Sequence, residues 1–164
     1  MERILVANSL SKKGEMIVRF LRNQDCIVIG VDKFDDPEKN GASSFIKVNL
    51  KHPDSVKLVC TLTSPTVLVY PWIPMQGSLF YPDYSAIEFF NLVTIGVKKG
   101  IKKVILCLDT IEVGETPQQA MKVLLQNMLD DFTEQLVIEC LVVTPNDNLL
   151  KSIKRFLKGG KNES

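Results

Sequence analysis

Apolar positions in this chain fall into six short runs separated by stretches of helical periodicity. The runs are RILVAN (3–8), DCIVIGVDK (25–33), SSFIKVN (43–49), PTVLVYPW (65–72), KKVILCL (102–108) and LVIECLVV (136–143). Most are rich in β-branched residues and continuously apolar, as expected for parallel strands covered on both faces. Between them the spacing of apolar residues predicts helices over 14–23, 53–62, 84–99 and 116–135, with a last one over 148–157. Asp54 or Ser55 is expected to cap the helix after Pro53, and Thr116-Pro117 to supply the Ncap and N1 residues of the fourth. Gly100, following Lys98 and Lys99, is expected to end the third. Strand and helix alternate throughout, which predicts an α/β fold: a three-layer, doubly wound parallel sheet with helices on both faces. One domain over 1–158 accounts for the pattern, leaving GGKNES as a disordered tail over 159–164.

With 164 residues, such a domain buries most of its apolar surface without disulfides or metals. A formal net charge of +1 provides no field to attract nucleic acid or an acidic membrane. No apolar run reaches the ~18 residues of a membrane span, and no signal peptide precedes the first strand, so a cytoplasmic location is expected. Cys26, Cys60, Cys107 and Cys140 lie far apart beside or within apolar runs, without a CxxC pair or a nearby histidine. They read as buried thiols rather than metal ligands.

The order of these segments resembles the extended or atypical short-chain dehydrogenases/reductases, the group that includes nucleotide-sugar epimerases and dehydratases. Where that family usually reads ILVTGATGFIGSHLV, this chain has ILVANSLSKKGEMIV without a gap. The second strand ends in VDK, and VNLKHPDSV resembles the family's VDLTDPESV segment beside the adenine. NLVTIGVKKGIKKVILCLDTIEVG is similar in layout to NLLEAAKKAGVKRFVYTSSAAVYG. The resemblance implies a Rossmann-like domain that stops before the substrate-binding lobe.

It also exposes departures. The first family glycine permits the tight turn, the second admits the pyrophosphate, and the third lets helix and strand pack closely. Here Asn8 stands at the first position and Ser11 at the second; only Gly14, the packing glycine, is kept. Asn tolerates a left-handed turn, whereas a side chain at Ser11 points where a phosphate would come. The family's catalytic Ser position falls on Asp109, with Thr110 beside it; the Tyr position falls on Gln118 and the Lys position on Lys122. Gln cannot donate and recover a proton near neutral pH. A carboxylate at Asp109 opposes hydride delivery, and Tyr70, Tyr81 and Tyr84 all precede the fifth strand without a lysine four residues on.

The resemblance therefore implies a non-catalytic binding, regulatory or accessory subunit that needs no cofactor. The alternative is an NAD- or NADP-dependent oxidoreductase or epimerase in which Asp109, Thr110 and Lys122 take altered roles. Under that alternative the cofactor-binding candidates are Asn8, Ser11, Lys12, Gly14, Asp32, Asn49 and Leu50, with Asp32 on the ribose and Asn49-Leu50 shaping an adenine slot. Ser9, Ser11, Lys12 and Lys13 read either as an anion site at a helix amino end or as a polar turn whose Ser11 caps the helix. The aromatic, proline-rich YPWIPMQGSLFYPDY stretch reads as a plug for the vacated cleft, a pocket lining or a partner surface.

Family members usually dimerise through the two helices expected over 84–99 and 116–135, which implies a homodimer or a heterodimer with a relative. Ile87, Phe90, Val93 and Val97 on the first and Met121, Leu124, Leu125, Met128, Leu129 and Phe132 on the second supply apolar stripes for it. The basic amphipathic last helix reads as a cover for the sheet with its lysines in water.

Overall fold

A computed structural model describes residues 1–35, 44–72, 84–108, 138–144 and 147–159. The strands among the described residues are β1 (Glu2–Val6), β2 (Cys26–Asp32), β3 (Ser44–Lys47), β4 (Val67–Pro71), β5 (Lys103–Cys107) and β6 (Glu139–Val143). The helices among the described residues are α1 (Lys12–Arg22), α2 (Pro53–Thr63), α3 (Tyr84–Lys98) and α4 (Leu149–Leu157). All strand pairs are parallel, in the order β3-β2-β1-β4-β5-β6. The chain winds outward from β1 to β3, then crosses back to β4. The carboxyl ends of β1 and β4 thus flank a topological switch point, where this architecture opens a crevice. The expected helix over 116–135 and the expected tail beyond residue 159 lie outside the described residues.

Period-two alternation divides the core between the two faces of the sheet. Ile4 and Val6 of β1, Val67 and Val69 of β4, and Ile105 of β5 pack with Ile17, Val18 and Leu21 of α1 and Ile153 of α4. Leu5, Leu68, Tyr70, Val104 and Leu106 point to the other face, against Val56 and Val59 of α2 and Phe89, Leu92 and Val93 of α3. These strands read as continuously apolar because both faces are covered.

Several local expectations need correction. α1 begins at Lys12 rather than residue 14, because Ser11 is its N-cap and the Gly14 N–H donates to the serine Oγ at 3.0 Å. Neither Asp54 nor Ser55 caps α2. His52 occupies that position without a side-chain bond, and Pro53 needs no partner for an N–H it lacks. Asn148, expected inside the last helix, is instead its N-cap, its side chain accepting from the Lys151 N–H at 3.1 Å. Gly100 follows α3 with φ at 115°, a conformation that L side chains rarely adopt.

Of the four cysteines, Cys60 and Cys107 are buried, and burial pushes their thiols up to about 11 and about 12. Cys26 and Cys140 are only half-buried: the first opens β2 and the second lies on β6, the end strand of the sheet. No group of metal-ligating side chains occurs among the described residues, and no helix among them is long and apolar enough to cross a membrane.

Candidate functional site

The carboxyl edge of the sheet gathers the β1–α1 turn, the end of β2, the segment after β3 and the end of β4. Asn8 takes the left-handed conformation, with φ at 48°, that the first family glycine would otherwise supply. Its side-chain amide donates to the Pro71 carbonyl at 2.9 Å, bridging the ends of β1 and β4 across the mouth of the crevice. The Ala7 N–H donates to the Val69 carbonyl at 3.0 Å and the Ser9 N–H to the Val31 carbonyl at 3.2 Å. The turn is therefore tied to a strand on each side.

Ser11 does two local jobs. Its hydroxyl donates to the Asn8 carbonyl at 2.6 Å and accepts the Gly14 N–H. The capping reading of this turn holds, with Lys12 and Lys13 inside the first turn of the helix. Gly14 is the packing glycine the sequence suggests: a Cβ there would overlap the Asn8 carbonyl oxygen and sit 2.9 Å from both its carbon and Ser11 Oγ.

Asp32 ends β2 and is buried. Its Oδ2 accepts the Leu10 N–H at 3.0 Å, and its Oδ1 accepts the Lys33 N–H at 2.7 Å and the Phe34 N–H at 3.4 Å. The carboxylate closes the β1–α1 turn from the side. Asn49 forms an Asx-type turn, its side-chain oxygen accepting the Lys51 N–H at 3.1 Å. Leu50 is 3% exposed and packs in the core cluster with Val56 and Val59.

Two polar residues on the inner side of α3 join this edge without an individual signal in the sequence. Asn91 donates from Nδ2 to the carbonyls of Leu50 and Lys51, both at 3.0 Å, fastening the segment after β3 to the helix. Glu88 is buried and accepts the Tyr70 hydroxyl at 3.3 Å. Burial raises its carboxyl above the usual range, against the opposing pull of Lys33, the Tyr70 hydrogen bond and Lys51. The available clue is a polar residue on a helix stripe otherwise made of Phe89, Leu92 and Val93.

Trp72 follows β4 and packs edge-on against Tyr70 and Phe89, with ring centroids 5.9 and 6.0 Å apart. The rest of the aromatic stretch, residues 73–83, lies outside the described residues. So do Asp109, Thr110, Gln118 and Lys122.

No protein-family model matches the chain, and no curated protein sequence matches it. Solved structures do match. The UDP-Glc/GlcNAc 4-epimerase of Campylobacter jejuni superposes over 88% of this chain and 53% of its own at 16% identity, with a TM-score of 0.67. The L-threonine dehydrogenase of Clostridium difficile covers the same shares at 13% identity and a TM-score of 0.64. The UDP-glucose 4-epimerase of Thermus thermophilus, solved in complex with NAD, covers 85% of this chain and 53% of its own at 17% identity and a TM-score of 0.61. The chain has the parallel, Rossmann-like α/β fold that these structures share over the matched residues. It spans about half the length of these three structures.

Proposed function

We propose that this chain keeps a dinucleotide-binding scaffold without its ligand and acts as a non-catalytic binding, regulatory or accessory subunit. The observation that supports this is internal satisfaction of the cradle. Ser11 Oγ holds the Gly14 N–H at the amino end of α1, where a glycine cradle would offer backbone to pyrophosphate. Asp32, the candidate for the ribose hydroxyls, holds the Leu10 N–H, and the Asn8 amide spans to Pro71. A pyrophosphate entering in the ordinary pose would meet the Ser11 side chain and compete with its bond to the Gly14 N–H within a partly buried, interlocked turn. The residues present do not fit it.

Calorimetric titration with NAD, NADH, NADP and NADPH is the test. The expected dissociation constants are weaker than roughly 1 mM, corresponding to less than about 4 kcal/mol of binding free energy. Micromolar affinity for any of the four overturns the reading and reinstates an oxidoreductase or epimerase using Asp109, Thr110 and Lys122.

The same proposal includes a cytoplasmic location, no nucleic-acid or membrane partner, and assembly with a second copy or a related chain through α3 and the 116–135 segment. Val93 and Val97 of α3 face the sheet, whereas Ile87 and Phe90 stay 42% and 48% exposed. Those two side chains support a contact beyond the domain's own core. In sedimentation velocity a dimer is expected at micromolar concentration, shifting to monomer in Phe90→Glu. A wild-type chain that sediments as a monomer removes this part of the proposal.

A further inference from the structure

On the sheet face that carries α1 and α4, a cleft of about 900 Å³ opens between the two helices and the end of β4. That volume lies within the roughly 300–1,000 Å³ typical of small-molecule sites. Its walls come from segments far apart in sequence, so a ligand there touches α1, the residues ending β4 and the first turn of α4. Met16 and Phe20, one helical turn apart, supply apolar surface together with Trp72 and Leu150. Met16 is 44% exposed, so its thioether is accessible to a ligand in the cleft.

Charge at the cleft is one-sided among the described residues. Lys12, Lys13 and Arg19 line it, against the one carboxylate of Glu15. Lys12 and Lys13 stand at one end, and Arg19 lies about 10 Å further along the helix axis. Lys13 is partly withdrawn from water and donates from Nζ to the Leu108 carbonyl at 3.3 Å. Burial pulls its ammonium below the usual range. An apolar trough flanked by cations complements a molecule with an apolar body and an anionic head, and disfavours a neutral or cationic one.

We propose that this cleft binds a small amphiphilic anion, an acyl or aryl group bearing a carboxylate or phosphate, with its apolar part along Met16, Phe20 and Leu150 and its head against Lys12 and Lys13. Ser11 and Lys12 are shared with the dinucleotide candidates, whereas Met16, Arg19, Phe20 and Leu150 are not, so competition with NAD separates the two readings.

Titration of the full chain with decanoate and with decyl phosphate, both below micelle-forming concentrations, tests it by calorimetry and by the emission of Trp72, the single tryptophan. One site per chain with a dissociation constant of about 10–100 μM for at least one of the two anions is expected. Inorganic phosphate, which is head alone, and decanol, which is tail alone, are expected to bind at least about tenfold more weakly. Lys12→Glu and Met16→Glu change exposed positions of α1. Each is expected to weaken binding about tenfold or more with the circular dichroism spectrum unchanged.

Four outcomes overturn the proposal: neither anion binds; head or tail alone binds as well; the folded variants bind like wild type; or an acidic amphipathic peptide binds where the small anions do not. Should a variant fail to fold, saturable change in Trp72 emission in the unmodified chain, matching the calorimetric stoichiometry, still decides. NAD that binds without competing leaves this site intact and defeats only the non-dinucleotide reading. NAD that competes assigns the cleft to the dinucleotide and defeats both.

Discussion

Gly14→Ala is expected to destabilise the chain by about 3 kcal/mol or more, in the range of severe overpacking. The added methyl would overlap a backbone carbonyl, that of Asn8, and press on Ser11 Oγ from 2.9 Å. Neither neighbour is free to retreat. Asn8 is held in the left-handed region with its amide on Pro71, and the next residue is bonded to Val31. Moving Ser11 would break its bonds to the Asn8 carbonyl and the Gly14 N–H together. Gly96→Ala provides the control. Its methyl would meet Ile101 Cδ1 at 2.5 Å, the tip of a side chain rather than backbone, and alanine gains up to about 1 kcal/mol over glycine inside a helix, offsetting part of the repacking. Urea unfolding should therefore separate the two, with a large drop in midpoint for Gly14→Ala and a net change within about 1 kcal/mol for Gly96→Ala. If Gly14→Ala unfolds like wild type, the turn is not interlocked in the way these bonds require.

The same turn shows how much of the molecule can be read from residues alone. Gly14 and Ser11 were legible because their roles are local: one cap and one close approach within seven residues. The strands were legible because a short, continuously apolar, β-branched run suits a strand covered on both faces and little else. What could not be read is what joins distant segments. Asn8 and Pro71 lie 63 residues apart, and nothing in NSLSKKG indicates that the asparagine will reach across to β4 rather than merely tolerate a turn. Asn91 fastening Leu50 and Lys51 is a contact of the same kind. Leu50 is a further case: its side chain joins the core cluster with Val56 and Val59, a packing role that its place in the VNLKHPDSV segment does not announce. His52 shows that a helix can start on proline geometry alone, without the capping oxygen that Asp54 or Ser55 seemed to offer.

Asp32→Ala is the second large effect expected, a loss of about 2–4 kcal/mol. The carboxylate accepts three backbone N–H groups, and the charge on the acceptor makes such bonds roughly twice as strong as neutral ones. After truncation the N–H groups of Lys33 and Phe34, in an exposed segment, can turn to water. The Leu10 N–H is half-withdrawn and joins the turn that Gly14 and Asn8 lock, so its loss loosens the start of α1 as well. Asp32→Asn keeps one acceptor oxygen but sets an amide N–H against another donor, and should fall between wild type and alanine. A residue kept for a ribose would behave in the opposite way. Groups held ready for a ligand are commonly a burden on the free protein, so their removal leaves stability unchanged or raises it. Urea midpoints of the three chains, measured without nucleotide, therefore distinguish the two roles. A graded loss from Asp32 through Asn to Ala identifies a structural brace, and equal or rising midpoints identify an acid waiting for its ligand.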